Sequence, residues 1–413
     1  MRESVMSYCD HPGLIPIEQA LKTILADVQP VTNVIEVPLV ECLGKVVAQD
    51  IVSFVDVPPA DNSAMDGYCL ALADLEKTVD GMLPVSQRIP AGVVPEPLKP
   101  GTAARIFTGA EVPEGADVVV MQENCSEQDG KVVLPPVLAL RDNIRDQGQD
   151  ILKGSVVVSK GQRLRPQELG LLASVGVGSA PVYKPLKVAL LSTGDELIDP
   201  GERARPGTIF NSNRYTLRGL LQALHFEVMD LGVVADTFEA TEKALIEAAS
   251  ADCIISSGGV SVGEEDHVKL VIEKLGRLNL WKLAIKPGKP FAFGDVKGTP
   301  FLALPGNPVA AFATFLLLCR PYLLTKQGVG DITTPTFTLP ANFSRTKAGM
   351  RQEYLRANAE IVDGKMMANT YANQSSGVLS STCWGNGFVV APIGKTITQG
   401  QDVMFMPYSD LLY

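Results

Sequence analysis

Histidine is almost missing from this chain, which carries only His11, His225 and His267 in 413 residues. That argues against a zinc centre built on several imidazoles, and a Ser-His-Asp triad would have to use one of these three. His225 closes the run Leu220-Leu-Gln-Ala-Leu-His225, where a helix end is the expected role. Cysteine is sparse and odd in number (Cys9, Cys42, Cys69, Cys125, Cys253, Cys319 and Cys383), with no Cys-x-x-Cys spacing. Such a set reads as reduced thiols in a cytoplasmic protein. Basic charge is also short, 36 Lys and Arg against 46 Asp and Glu for a net −10, which argues against a general nucleic-acid partner. Long apolar runs are lacking: the longest, Val309 to Cys319, stops at Arg320. It is about half a membrane span, so no membrane partner is expected. The first fifteen residues include Glu3, Asp10 and His11 without an apolar core, so no signal peptide is expected. Carboxylates, lysines, hydroxyls and a hard metal are what remain for chemistry.

At 413 residues the chain should form more than one core. Apolar residues at Ile17, Ala20, Leu21, Ile24, Leu25 and Val28 form a helical stripe. Residues 15–53 mix short strand and helix signals, and 151–185 return to that character, with Pro166 opening a helix. Between them, 54–150 alternate short β-like runs with Pro and Gly. The expectation is an inserted β module, 54–150, within a discontinuous N-terminal domain of 15–53 and 151–185. From 186 to 328 strand and helix patterns alternate: Lys187 to Ser192, 213–224, 226–231, a helix capped by Asp236 or Thr237, 252–256, 266–275, 290–295, 300–304 and 308–325. Apolar strands alternating with helices predict a three-layer α/β domain with a largely parallel sheet. After 329, short alternating runs predict a C-terminal β-barrel through 413.

The stretch Ser256-Ser-Gly-Gly-Val-Ser-Val-Gly-Glu-Glu-Asp266 stands between an apolar run and a helical one. Free backbone N–H groups and hydroxyls before a helix suit a phosphate or another anion. Glu264, Glu265 and Asp266 would repel a bare phosphate unless a divalent metal or a lysine cluster lies near. An ordinary strand-to-helix turn, its acids complementing the helix dipole, is the alternative. Loops 193–196, 256–266 and 305–308 each follow a strand and should converge beyond the strands' carboxyl ends. Asp61, Asp66, Asp150, Asp195, Glu196 and Asp236 also lie in loops. Each alone fits a cap or a solvated turn, whereas several together would make a Mg²⁺ or hydrolytic site. Lys282, Lys286 and Lys289 punctuate an otherwise apolar segment, either as anion ligands or as a turn's solvated face. Separate acidic and basic sets fit a phosphorylated substrate handled with metal.

Eight further motifs carry a resemblance. Asp61-Asn-Ser-Ala-Met-Asp-Gly-Tyr68, Arg105-Ile-Phe-Thr-Gly-Ala110, Val112-Pro-Glu-Gly-Ala-Asp117, Ser192-Thr-Gly-Asp-Glu-Leu197, Asn211-Ser-Asn213, Ser257-Gly-Gly-Val-Ser-Val-Gly263, Lys286-Pro-Gly-Lys-Pro290 and Leu304-Pro-Gly-Asn-Pro308 occur in that order, with Gln374-Ser-Ser-Gly-Val-Leu-Ser380 near the end. Over about residues 15–410 the chain resembles the molybdopterin molybdenumtransferase (MoeA) family, related to the C-terminal domain of gephyrin. The resemblance implies an elongated four-domain homodimer. It implies the last step of molybdenum-cofactor synthesis: adenylylated molybdopterin is cleaved, AMP leaves and molybdate is inserted, with Mg²⁺ present. An adenylylating enzyme would act upstream, and apo-molybdoenzymes or their chaperones would accept the product. By the same resemblance Asp66, Asp150, Glu196, Asp236 and Asp266 are catalytic acids, with Glu196, Asp236 and Asp266 on the metal. Substrate contacts are expected from Thr108, Arg145, Lys282, Lys286, Pro305, Pro308 and Ser376. The loop and lysine readings above add Thr193, Gly194, Ser257, Gly258, Gly259, Ser261 and Lys289. Asp66 and Asp150 would reach the crevice from the partner chain. Gln149 stands where the family often has an acid, and Ala310 where a serine is common. A receptor-clustering scaffold of the gephyrin type is disfavoured by the expectation that no linker or fused domain precedes residue 15. Retention of Asp66, Asp150 and Glu196 disfavours a binding-only relative, and a lone adenylylating domain would need neither the β module nor the C-terminal barrel.

Overall fold

A computed structural model describes residues 13–135, 137–258 and 267–412. Gly259, Ser261 and Asp266, with Glu264 and Glu265, lie outside the described residues. At the centre is a seven-stranded sheet in the order Leu14–Ile15, Gly276–Leu283, Pro290–Val296, Thr299–Leu304, Cys253–Ser257, Lys187–Thr193, Glu227–Val234. Only Pro290–Val296 runs against the others, so the sheet is largely parallel. Alternation builds the layers. Val188 and Leu190 face one core with Ile255 and Leu302, while Ala189 and Leu191 face the other with Ile254 and Phe301. Helices Ser212–Ala223 and Pro308–Thr314 cover the first face, and Phe238–Ala248 and His267–Leu275 the second. Lys187–Thr193, Cys253–Ser257 and Thr299–Leu304 are covered on both faces and are accordingly apolar along most of their length.

The amino end contributes to this unit. Leu14–Ile15 pairs in parallel with Lys282 and Leu283, and Ile17, Ala20 and Ile24 of helix Ile17–Leu25 enter the first core. The later part of 15–53 pairs elsewhere: Val34–Pro38 with Ser179–Tyr183, and Ile51–Val52 with Val156–Val158. Between them a six-stranded, largely antiparallel sheet includes Gly67–Leu70, Ala103–Ile106 and Val118–Met121.

The helical stretch Pro308–Lys326 is 19 residues long and apolar enough by composition to cross a membrane, but its window is 78% buried within the fold. It is a core helix. Pro308 sits at its first turn, where a missing N–H is harmless. Pro321, inside the stretch, removes one helical hydrogen bond, and the preceding Phe315–Cys319 widens into a π turn. The C-terminal unit is β-rich. Ile285–Lys286, Gln352–Val362, Gly387–Ala391, Asp402–Pro407 and Phe337–Pro340 form a path, with Lys365–Thr370 paired to Gln352–Val362. An isolated bridge between Ala341 and Ala368 spans its open side.

Candidate active site

From Lys187–Thr193 the chain crosses to Glu227–Val234 on one side, then returns to Cys253–Ser257 on the other. That reversal is a topological switch point, where open α/β sheets leave a crevice. Its last rungs set Thr193 beside Val234, Ser192 beside Ser257, and Ser257 beside Leu304. Loops bearing Gly194 and Glu196, Asp236, Gly258, and Pro305 therefore leave the sheet at one edge. Gly258 is required there: its φ is +86°, and a Cβ would lie 2.6 Å from the Thr193 carbonyl oxygen. Asn213, buried on Ser212–Ala223, donates to Ser257 Oγ at 2.8 Å and to the Gly306 carbonyl at 2.7 Å, tying two of the loops. Among the described residues its Oδ1 has no partner, nor do the hydroxyls of Ser192, Thr193 and Ser256. Asn213 belongs to a quoted motif but was not assigned to the site by sequence reasoning. Its recognisable signal was a polar residue on the buried face of a helix.

Glu196 and Asp236 are exposed, and the Asp236 N–H reaches Asp195 Oδ1 at 3.4 Å. Asp236 precedes the cap, which is Thr237: its Oγ1 accepts from the Ala240 N–H at 3.2 Å. Lys282 is the penultimate residue of a strand, Gly276–Leu283, that the sequence analysis did not identify. Lys282, Lys286 and Lys289 are all exposed, on or just beyond this same sheet edge. The loop between them packs closely on the core helix, since a Cβ at Gly288 would lie 2.4 Å from Thr314 Oγ1. Lys286 lies 3.5 Å from Glu353, while Lys282 and Lys289 make no ion pair among the described residues. The Ser376 carbonyl accepts from the Val309 N–H at 3.0 Å, satisfying an open donor at the helix start and placing Ser376 against Pro308.

The remaining acids form a separate group. Asp66 Oδ1 accepts from both the N–H and the hydroxyl of Thr108, each at 2.8 Å. Those bonds hold its carboxyl below the usual range, with Arg105 adding a smaller pull. Arg145 pairs with Asn62, and the Asp150 N–H donates to the Val57 carbonyl at 2.9 Å. The loops holding Asp66, Thr108, Arg145 and Asp150 are thus bonded to one another. The sheet-edge loops form a second group, and no hydrogen bond or ion pair among the described residues joins an acid of one to a site residue of the other.

Three family models match in order: "MoeA N-terminal region (domain I and II)" over 15–176, "Probable molybdopterin binding domain" over 189–325 and "MoeA C-terminal region (domain IV)" over 338–408. A molybdopterin molybdenumtransferase of Haemophilus influenzae is 40% identical, covering 97% of this chain and 100% of its own length. Its counterpart in Nostoc sp. is 33% identical over 88% of this chain and 86% of that protein. The crystal structure of a molybdopterin biosynthesis protein from Pyrococcus horikoshii OT3 superposes with a TM-score of 0.82 at 29% identity, covering 96% of this chain and 100% of that one. With a full-length relative at that identity and the three regions in sequence, the chain belongs to the molybdopterin molybdenumtransferase (MoeA) family.

Proposed function

We propose that this chain is the transferase that completes molybdenum-cofactor synthesis, inserting molybdenum from molybdate into adenylylated molybdopterin and releasing AMP. The observation that carries this reading is the sheet edge, where loops with exposed acids leave the same end of one sheet as a lysine segment in which, among the described residues, only Lys286 has an ion-pair partner. Lys282, Lys286 and Lys289 would meet the anionic parts of the substrate and oppose charge that develops as the phosphoanhydride breaks. Strands Lys187–Thr193 and Cys253–Ser257 end in the polar residues Ser192, Thr193, Ser256 and Ser257, from which the loops that the pterin phosphate would meet depart.

The described carboxylates form no group of three that could hold a metal unaided. Exposed hard oxygens in ones and twos instead fit Mg²⁺, which takes one or two carboxylates along with substrate phosphates and water. Glu196 and Asp236 are the described residues that would hold it, with Asp266 as the third expected acid. Bound there, the ion would neutralise phosphate oxygens. Asp66 and Asp150, gathered with Thr108 and Arg145 on the β module, would complete the site from a second copy in a homodimer. The free thiols of Cys42, Cys69, Cys253 and Cys319, all buried, support a reducing, cytoplasmic setting. The preceding adenylylating enzyme and the apo-molybdoenzymes are the expected partners.

Incubation with adenylylated molybdopterin, Mg²⁺ and molybdate, followed by AMP release and activation of an apo-molybdoenzyme, tests the reading. Asp66→Asn and Glu196→Ala are each expected to abolish release while the dimer persists. AMP release no faster than background in the wild type would sink the enzyme reading. Wild-type rates in both variants would sink the acid assignment.

A further inference from the structure

Two carboxylates are buried among the described residues, Glu168 and Glu353. Glu168 closes a helix cap, whereas Glu353 lies where the C-terminal sheet meets the lysine segment. Its Oε1 accepts from Arg345 Nη2 at 2.7 Å, and its Oε2 lies 3.5 Å from Lys286 Nζ. Backbone pairing fixes the encounter, because Ile285–Lys286 runs parallel to Gln352 and Glu353. The Gln352 N–H donates to the Ala284 carbonyl at 2.9 Å, and Arg351 Nη1 to the Ile285 carbonyl at 2.9 Å. Arg345 is itself anchored, its N–H donating to the Ile397 carbonyl at 2.7 Å. The Glu353 carboxylate thus faces two cations, Arg345 and Lys286, with the Arg351 guanidinium held on the adjoining Ile285 carbonyl, so the neighbourhood of Lys286 stays positive. An ammonium has three N–H donors, so the Lys286 ammonium, 3.5 Å from Glu353, keeps donors for a ligand.

We propose that Glu353 is a positioning residue: with Arg345 it holds Lys286, and through it the loop 284–289, in the orientation that binds the anionic part of the substrate. The C-terminal sheet thereby becomes part of the substrate site. This rests on the function proposed above.

Glu353→Gln keeps the volume and removes the charge. In the AMP-release assay it should raise KM for adenylylated molybdopterin on the order of 10- to 100-fold, with kcat largely kept, the signature of lost ground-state binding. Glu353→Asp, which keeps the charge, should recover part of the loss. The deciding variant is the double substitution: if Glu353 acts through Lys286, Glu353→Gln adds nothing to Lys286→Ala, whereas a merely structural role gives additive losses. Arg277→Ala breaks an exposed ion pair with Asp295 at the far end of strand Gly276–Leu283 and should leave every readout unchanged. If the wild type releases no AMP, the proposed function has failed. The positioning claim is then read from titration calorimetry with inorganic pyrophosphate, where the same non-additivity is expected. Additive losses in either assay, or a wild type that binds no pyrophosphate, would overturn the proposal.

Discussion

Replacing Gly258 with alanine should destabilise the sheet-edge unit through both its backbone conformation and a steric clash. The residue has φ +86°, a left-handed conformation costing an L-residue roughly 1–2 kcal/mol. The new Cβ would sit 2.6 Å from the Thr193 carbonyl oxygen. That atom is backbone, and Thr193 pairs with Val234, so it cannot step aside without disturbing the last rung. Overpacking of this kind costs about 1–3 kcal/mol, giving a total of about 2–5 kcal/mol. For a unit of about 150 residues each kcal/mol moves the melting midpoint by about 2–4 °C, so scanning calorimetry should show a drop of roughly 4–20 °C. Gly219 supplies the control. It lies exposed within helix Ser212–Ala223, nothing stands within 4 Å of a Cβ there, and alanine should stabilise by about 0.5–1 kcal/mol. The same methyl group thus carries opposite signs at two sites. A Gly258→Ala midpoint equal to or above the wild type would refute the claim that close approach at the switch point demands glycine.

Glu168→Gln should cost about 1–2 kcal/mol at neutral pH, because the carboxylate accepts from the Arg165 N–H at 2.9 Å and from its guanidinium, whose own exposure limits the gain. The Arg165 hydrogen bond holds the Glu168 carboxyl below its ordinary range. A depressed carboxyl stabilises above its unfolded pKa and loses that contribution as pH falls through the folded value. The midpoint gap between wild type and variant should therefore be constant above about pH 5 and close as pH falls below about 4; a gap that widens with acid would contradict the assignment. Arg356→Met should cost about 2–4 kcal/mol. The guanidinium is buried and donates to Ser381 Oγ at 3.0 Å and to the Ser375 carbonyl at 3.1 Å. Hydrogen exchange should rise across 373–381 and at Val309, whose N–H rests on Ser376, and unchanged protection there would refute the coupling.

The sequence showed most where physics is local or repetitive. Strands covered by helices on both faces are largely apolar, so Lys187 to Ser192 and 252–256 stood out, and the Pro166 start and a cap at Asp236 or Thr237 were legible from capping chemistry, the structure choosing Thr237. Strand Gly276–Leu283 was not. Its Arg277, Asn279 and Lys282 are exposed beside Leu283, which is buried, and Lys-Pro-Gly nearby signals a turn. Nor could the sequence reveal that Leu14–Ile15 crosses to that strand, because a two-residue pairing leaves no periodicity to detect. The acids and lysines were recognisable as residue types, but their division into two groups depends on non-local hydrogen bonds such as Asp66 to Thr108.

That division has an electrostatic logic on the proposed reading. In a chain of net charge −10 a cationic face survives only where acids are held away from it or are outnumbered. Both devices are present. Lys282 and Lys289 meet no acid among the described residues, and at Lys286 the one carboxylate is outnumbered by Arg345 and Arg351. Glu196 and Asp236 stand on loops from other strands, across the switch point, instead of beside the lysines. Were the two sets adjacent, they would pair, and the substrate's phosphates would have to break those pairs before binding. Kept apart, they leave the bridging of positive and negative groups to the ligand and its metal. The Gly-rich turn at Ser257-Gly258 then serves to hold the loops of that sheet edge close together, so that a single anion can span both sets.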